Sequence, residues 1–400
     1  MNQLKDRTIS AHNVRILFWA TVFASVNFME PILTLFYLER GLDLAQVYLV
    51  TLVWCLTVLV FEVPTGAFAD QFGPKASFVT GCLIAILSKI ILIFAHDFWG
   101  MAVYTFLWGL SVTFFSGAEE ALLYESLKQD GEEERMSDVM GKLYAASLYP
   151  MVLAFLFGAY VARDLEESQF VLLIVLGMVF QLVQLFFLLR VVNPRSFEGF
   201  RENPFQHVKN GVTVIRKTPD LLLIFLNFTI VFVLSAVVAG RLEQPYLTMS
   251  GVSVAWLGVL YAGAAVLALL VSSRIGWFTQ RFSKKGLMYA TGLATALALV
   301  VAATVVPAVW TATLVFLILR LSRAVRMPLY SQLTNDHIPS ESRATTLSLL
   351  SIADSLFDVI FLVTFAGIAV AADRYALVFA ACAGIVLLGT LIPVREAKKG

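Results

Sequence analysis

Twelve apolar runs, each as long as a membrane-crossing helix, follow one another along the chain. They occupy residues 14–38, 45–69, 76–95, 99–127, 139–162 and 169–192, then 219–241, 254–278, 286–306, 309–331, 344–370 and 374–394. A helix needs roughly 20 mostly apolar residues to cross about 30 Å of hydrocarbon, and every run reaches that length. The polar breaks are short except for 193–218, which holds Asn193-Pro194, Asn203-Pro204, Arg195, Arg201, Lys209, Arg216 and Lys217. Within it, 205–217 reads as a surface amphipathic helix. The pattern predicts an all-α membrane protein with twelve transmembrane helices in two pseudo-symmetric six-helix bundles. Residues 1–192 form one bundle, 193–218 a cytoplasmic linker and 219–400 the other.

Composition supports lipid as the solvent. Hydrophobic residues make up 59% of the 400 and charged residues 14%, against roughly 25% charged in a soluble domain. The net charge of +1 gives no footing for nucleic acid. Cys55, Cys82 and Cys382 all lie inside apolar runs and read as small core residues. His12, His96, His207 and His337 make no metal-ligand spacing. No nucleophile–base pair or phosphate loop points to an enzyme, and no cofactor or metal is implied. The first run follows Lys5, Arg7 and Arg15 without a small-residue cleavage site, so it reads as a retained span. Most of the 29 Lys and Arg fall on one side of the twelve-span scheme, with Arg40, Arg163 and Arg374 on the other. Positive charge marks the cytoplasmic side, which places both termini there and the protein in the inner (plasma) membrane.

Two segment pairs suggest duplication. GAFADQFGPK from Gly66 compares with GWFTQRFSKK from Gly276, at an offset of 210. RMSDVMGKLYAASL from Arg135 compares with RATTLSLLSIADSL from Arg343, at an offset of 208. Both join segments entering the membrane from the same side, so the halves are parallel repeats.

The stretch EVPTGAFADQFGPK, Glu62–Lys75, resembles the loop between the second and third helices of the major facilitator superfamily. Gly66, Asp70, Gly73 and Lys75 match its pattern, and Pro74 replaces a basic residue. SGAEEALLYESLK from Ser116 resembles the end of that family's fourth helix, and IPSESRATTLSLLS from Ile338 the start of its eleventh. The resemblance is to a bacterial, drug-exporter-like branch with degenerate motifs. The fourth span carries Trp108-Gly109 and no arginine, and the fifth has only Pro150 and Gly158 of a glycine-rich pattern. The resemblance implies a cytoplasmic gate at Gly66, Asp70, Gly73 and Lys75. There Asp70, disfavoured by its own helix dipole, would latch onto the N-terminus of helix eleven.

Ionisable side chains inside spans are costly, so they face a cavity or a partner. Glu30 follows Asn27 by three residues, placing both on one face, and Pro31 removes a helical N–H there. Glu30 is the first candidate for proton coupling. Asp354 and Asp358, four apart in the eleventh span, are next, because two close carboxylates cannot both ionise cheaply. Pairing with Arg320 and Arg323 is their alternative. Glu119 and Glu120 complete the coupling candidates. Asn27, Lys89, Arg320, Arg323, Trp108 and Tyr124 are candidates for a substrate cavity, with a Lys89–Glu30 pair as one arrangement. Arg241 and Glu243 read as side chains reaching for water at the outer end of the seventh span. The expectation is a monomeric transporter in a lipid bilayer, exchanging protons for a small amphipathic molecule by alternating access. The alternatives are proton-coupled uptake of an organic anion through Arg320 and Arg323, a lipid flippase, or a non-transporting sensor or scaffold.

Overall fold

The computed structural model describes residues 8–194, 218–338, 343–372 and 375–395. The helix expected at 205–217, most of the 193–218 linker and part of the motif after Ile338 lie outside them. Among the described residues there is no strand, and nine helical stretches are long and apolar enough to cross a membrane. Three more rods are consistent with the expected twelve. One is an interrupted first rod. Another is Val309–His337, made less apolar by Arg320, Arg323 and Arg326. The last is Tyr375–Leu391, at 17 residues.

By packing, the chain divides into two compact units, Met1–Gly41 with Val53–Arg201, and Leu42–Leu52 with Glu202–Gly400. The first holds α1 (Ile9–Ala24), α2 (Leu33–Glu39), most of α3 (Leu44–Phe72), α4 (Pro74–Phe94), α5 (Phe98–Thr113), α6 (Ala118–Gln129), α7 (Met136–Val161) and α8 (Glu167–Leu188). The second holds α9 (Pro219–Val233), α10 (Glu243–Met249), α11 (Val254–Ser273), α12 (Ile275–Arg281), α13 (Lys284–Thr304), α14 (Val309–His337), α15 (Arg343–Ala372) and α16 (Tyr375–Leu391).

Four runs that read as continuous helices are interrupted, one of them, 254–278, only by a turn at Arg274 between α11 and α12. The run 14–38 ends as α1 at Ala24 and restarts through a 3-10 turn, Glu30–Ile32, into α2. Pro31 offers no N–H to close the helix. The Asn27 side chain also competes locally, accepting the Met29 N–H at 3.3 Å. The break is held by α7, because Gly158 lies against it. A Cβ there would stand 2.0 Å from the Phe28 carbonyl oxygen. The run 99–127 turns between α5 and α6, where Gly117 takes a φ of 70°. The run 219–241 leaves the α form at Val233 and passes through a π turn, Leu234–Val238, and a 3-10 turn, Ala239–Arg241, before α10. Interior prolines at 64, 150 and 328 leave their helices unbroken.

The units share local architecture. Pro31-Ile-Leu-Thr and Pro245-Tyr-Leu-Thr each lie in the seven residue restart or its lead-in, and each restart ends at a glycine of positive φ, Gly41 or Gly251. Asn13 donates to the Ser126 hydroxyl at 2.9 Å and to the Val192 carbonyl at 2.8 Å, and accepts the Val192 N–H. In the other unit Asn227 donates to the carbonyls of Thr390 and Ile392 at 3.1 and 2.9 Å. In each unit, therefore, one asparagine on the first rod ties down the end of the last, satisfying carbonyls that a helix terminus leaves open.

Outward surfaces are apolar. Leu83, Leu87, Phe94, Leu153 and Leu182 in the first unit, and Leu297, Trp310, Leu314 and Ile360 in the second, are exposed. In water this would be a heavy liability, whereas hydrocarbon tolerates it.

Candidate functional site

The first unit lines a half-open cavity of about 340 Å³ bounded by α1, α4, α5, α6 and α8. Asn27, Lys89, Trp108, Glu119, Gln181 and Gln184 supply its polar lining; Ala85, Val112, Phe115 and Leu188 supply apolar wall. Asn27 reaches it because the α1 break frees its side chain from a regular helix face. Lys89, on α4, turns to α8 rather than to Glu30. Its ammonium donates to the Gly177 carbonyl at 3.3 Å and to Gln181 Oε1. Gln181 Nε2 in turn donates to Gln184 Oε1 at 3.2 Å. Among the described residues no carboxylate forms an ion pair with Lys89. A smaller void beside the first is also lined by Asn27, Lys89 and Trp108, with Tyr104 and Ile174.

Four candidates named from sequence, Asn27, Lys89, Trp108 and Glu119, therefore meet in one cavity. Glu30 does not line it; it is exposed on the 3-10 turn and accepts from Asn27 Nδ2 at 3.3 Å. Glu120 and Tyr124 are exposed on α6, away from it. Gln181 and Gln184 were missed. Their signal was available: two glutamines three apart in an otherwise apolar run, uncharged but too polar to face lipid.

In the second unit the arginines have a partner that the sequence misplaced. Glu243, expected to reach for water, is 3% exposed. Arg320 Nη2 donates to its Oε2 at 2.6 Å and Arg323 Nη2 to its Oε1 at 2.9 Å. Tyr261 donates its hydroxyl to Oε2 at 3.2 Å, and the Arg320 guanidinium lies 4.4 Å from the Tyr261 ring centre. The irregular turns before α10 carry Glu243 inward, and a carboxylate in an apolar interior persists only with opposite charge and hydrogen bonds around it. Arg320 and Arg323, three apart on one face of α14, provide both. Arg326, fully buried, donates to the Met288 carbonyl and to the carbonyl and side-chain oxygens of Asn227, at 2.6 to 2.8 Å, which makes it a staple.

The α15 aspartates stand apart from this network. Asp354 accepts the Thr229 hydroxyl at 2.6 Å. Asp358 Oδ1 is buried with no hydrogen-bond partner among the described residues. No ion pair joins either aspartate to an arginine among those residues.

At the 66–75 loop, Gly66 stays within α3 and Asp70 is exposed near its end. Gly73 takes a φ of 85° and Pro74 opens α4 as its first residue. A Cβ at Gly73 would lie 2.5 Å from Asn193 Nδ2, and the Lys75 N–H donates to Asn193 Oδ1 at 3.1 Å. Glycine is required there by the backbone angle and by the room. Arg40, read from sequence as a loop charge, is buried. It donates to the carbonyls of Leu92, Ile93 and Ala95, and pairs with Glu167, so it closes the C-terminal end of α4.

Among proteins of known sequence, residues 17–362 match the family model of the Major Facilitator Superfamily. An uncharacterized MFS-type transporter, YxaM of Bacillus subtilis (strain 168), is 24% identical over 267 residues, 65% of this chain. The match spans 64% of that relative's length, just under two thirds. Among solved structures, a variant of the nucleoside transporter NupG superposes with a TM-score of 0.78 at 11% identity, covering 94% of this chain and 98% of that one. A bacterial homologue of the human lysosomal transporter Spinster, inward-facing and unoccupied, superposes with a TM-score of 0.69 at 14% identity, covering 97% and 95%. At such identities the likeness is one of fold. The family model, which covers most of the sequence, carries more: this chain belongs to the major facilitator superfamily.

Proposed function

We propose that the protein is a proton-coupled secondary transporter that exports a small amphipathic organic molecule by alternating access. The observation that carries this reading is the first-unit cavity, where Asn27, Lys89, Trp108 and Glu119 join apolar walls. A concave, mostly apolar site with a few convergent polar groups is the usual form of a small-molecule site. Proton coupling falls to Asp354 and Asp358. They are half-buried and free of arginine pairing among the described residues, so protonation can change their charge without first breaking a salt bridge. Glu243 is the opposite case, held by two guanidinium groups. Glu30 is a second coupling candidate through its bond to Asn27, which lines the cavity.

Asp70 serves as the latch of the cytoplasmic gate with Gly66, Gly73 and Lys75. The chain works as a monomer in the inner membrane with both termini cytoplasmic and its halves divided at 193–218, in keeping with the one-sided distribution of Lys and Arg. NupG transports nucleosides by name, but a shared fold does not carry a substrate across.

Solute counterflow in proteoliposomes, with and without an imposed pH gradient, tests the proposal. Protons should move opposite to the solute, and Asp354→Asn with Asp358→Asn should abolish gradient-driven movement while leaving gradient-free exchange. Co-movement of protons and solute would favour uptake instead. Asp70→Asn should slow transport several-fold with insertion intact, and full activity in that variant would remove the latch.

A further inference from the structure

The charge pattern inside the first-unit cavity narrows the substrate class, and this step rests on the transport reading above. We propose that the cavity recognises a small organic anion, with a carboxylate or similar acidic group on Lys89 and a flat apolar body against Trp108 and Phe115.

The Lys89 ammonium has three N–H donors. Its protein acceptors are the Gly177 carbonyl and Gln181 Oε1, both neutral, and no carboxylate pairs with it among the described residues. A cation within a span, solvated by dipoles alone, is costly, and such groups mark substrate pathways. An acidic group entering the cavity supplies the missing counter-charge through a charge-assisted hydrogen bond, about twice as strong as a neutral one. Gln181 fixes the ammonium in place, and Gln184 fixes Gln181. Recognition thus rests on a pre-positioned donor, which lowers the ordering cost of binding.

The rest of the lining suits the remainder of such a molecule. Trp108, Val112 and Phe115 offer apolar and aromatic surface. Trp108 is itself braced by an edge-on contact with Tyr104, ring centres 5.8 Å apart. Glu119 lines the same cavity and forms no ion pair with Lys89 among the described residues. An anion in the cavity turns its acid toward Lys89 and its apolar part toward the Trp108 and Phe115 surface. The 340 Å³ lies within the roughly 300–1,000 Å³ range of small-molecule sites, room for a two-ring aromatic acid.

Binding to the purified full-length protein in detergent, by titration calorimetry at neutral pH, tests this with three probes of one shape: naphthoate, naphthamide and naphthylmethylammonium. The wild-type protein should bind naphthoate about ten- to hundredfold tighter than the amide and the ammonium probe weakest. Lys89→Met should reduce naphthoate to the affinity of the amide, and Lys89→Arg should keep most of the preference. Trp108→Ala should weaken all three alike. Equal wild-type affinities for acid and amide, or tighter binding of the ammonium probe, would overturn the proposal without recourse to any variant. An unchanged acid-to-amide ratio in Lys89→Met would do the same. Gradient-driven transport is read separately in proteoliposomes. Selective acid binding without movement defeats the transport reading and leaves this one standing; movement of neutral solutes with no acid preference defeats this one alone.

Discussion

Replacing Glu243 by glutamine removes the negative member of a cluster that holds two arginines and leaves the shape nearly intact. In the native protein Glu243 accepts from Arg320 at 2.6 Å and Arg323 at 2.9 Å, with Tyr261 at 3.2 Å. Unit charges about 4 Å apart attract by about 4 kcal/mol at an effective dielectric near 20; desolvation offsets part of that. Breaking a buried pair by removing one partner costs about 3–5 kcal/mol, because the survivor is left buried and uncompensated. Here two like charges survive on one helix face. The guanidinium side chains are 27% and 17% exposed, so partial solvation argues for the lower end, about 3 kcal/mol. At about 2–4 °C per kcal/mol for a unit of some 200 residues, the melting temperature of Glu243→Gln should fall by about 6–12 °C. Scanning fluorimetry in detergent on the seven native tryptophans is a direct readout. Adding Arg323→Met to Glu243→Gln restores the cluster's original net charge and should recover roughly half of the loss. A single variant melting within about 2 °C of the native protein would refute the reasoning, as would a double variant melting lower still.

Three further outcomes follow from the packing. Gly158→Ala places a Cβ 2.0 Å from the Phe28 carbonyl and should destabilise by about 1–3 kcal/mol or more; Gly141→Ala, on the same helix with open space around it, is the control and should melt at or slightly above the native temperature, since alanine favours a helix interior over glycine. Asn227→Ala strips a side-chain acceptor from buried Arg326 and a donor from two carbonyls at the end of α16; a loss of about 2–3 kcal/mol is expected, visible as a lower melting temperature. Arg40→Met unties the last carbonyls of α4 from Glu167 and should speed hydrogen exchange at residues 92–95, with little change in the exchange of α6.

Much of the candidate site was legible in the sequence. Lys89, Glu119 and Asn27 stood out because each is polar within an apolar run, and lipid makes every such residue conspicuous. Trp108 was named as a cavity candidate in the fourth span, where the family's arginine is missing. Gln181 and Gln184 escaped notice because attention to charge overlooks amides, although burial penalises both. Glu243 was misread for a different reason. Its apparent position at the end of a span assumed a regular helix through 219–241, and the π and 3-10 turns there redirect the chain. Arg40 was misread likewise, since a loop charge and a buried helix cap look the same in sequence.

What the chain decided by itself was the solvent and the periodic plan: hydrocarbon must surround so much apolar side chain, hydrogen bonding within the backbone then dictates helices, and the segment pairs at offsets of 210 and 208 suggest two similar units. The breaks at Pro31 and before α10, the side that each polar group turns toward, and the partners of Lys89, Arg320 and Arg323 were left to tertiary structure. A one-dimensional pattern gives the cost of a polar residue in a span, but only the packed neighbours decide which dipole or charge offsets that cost.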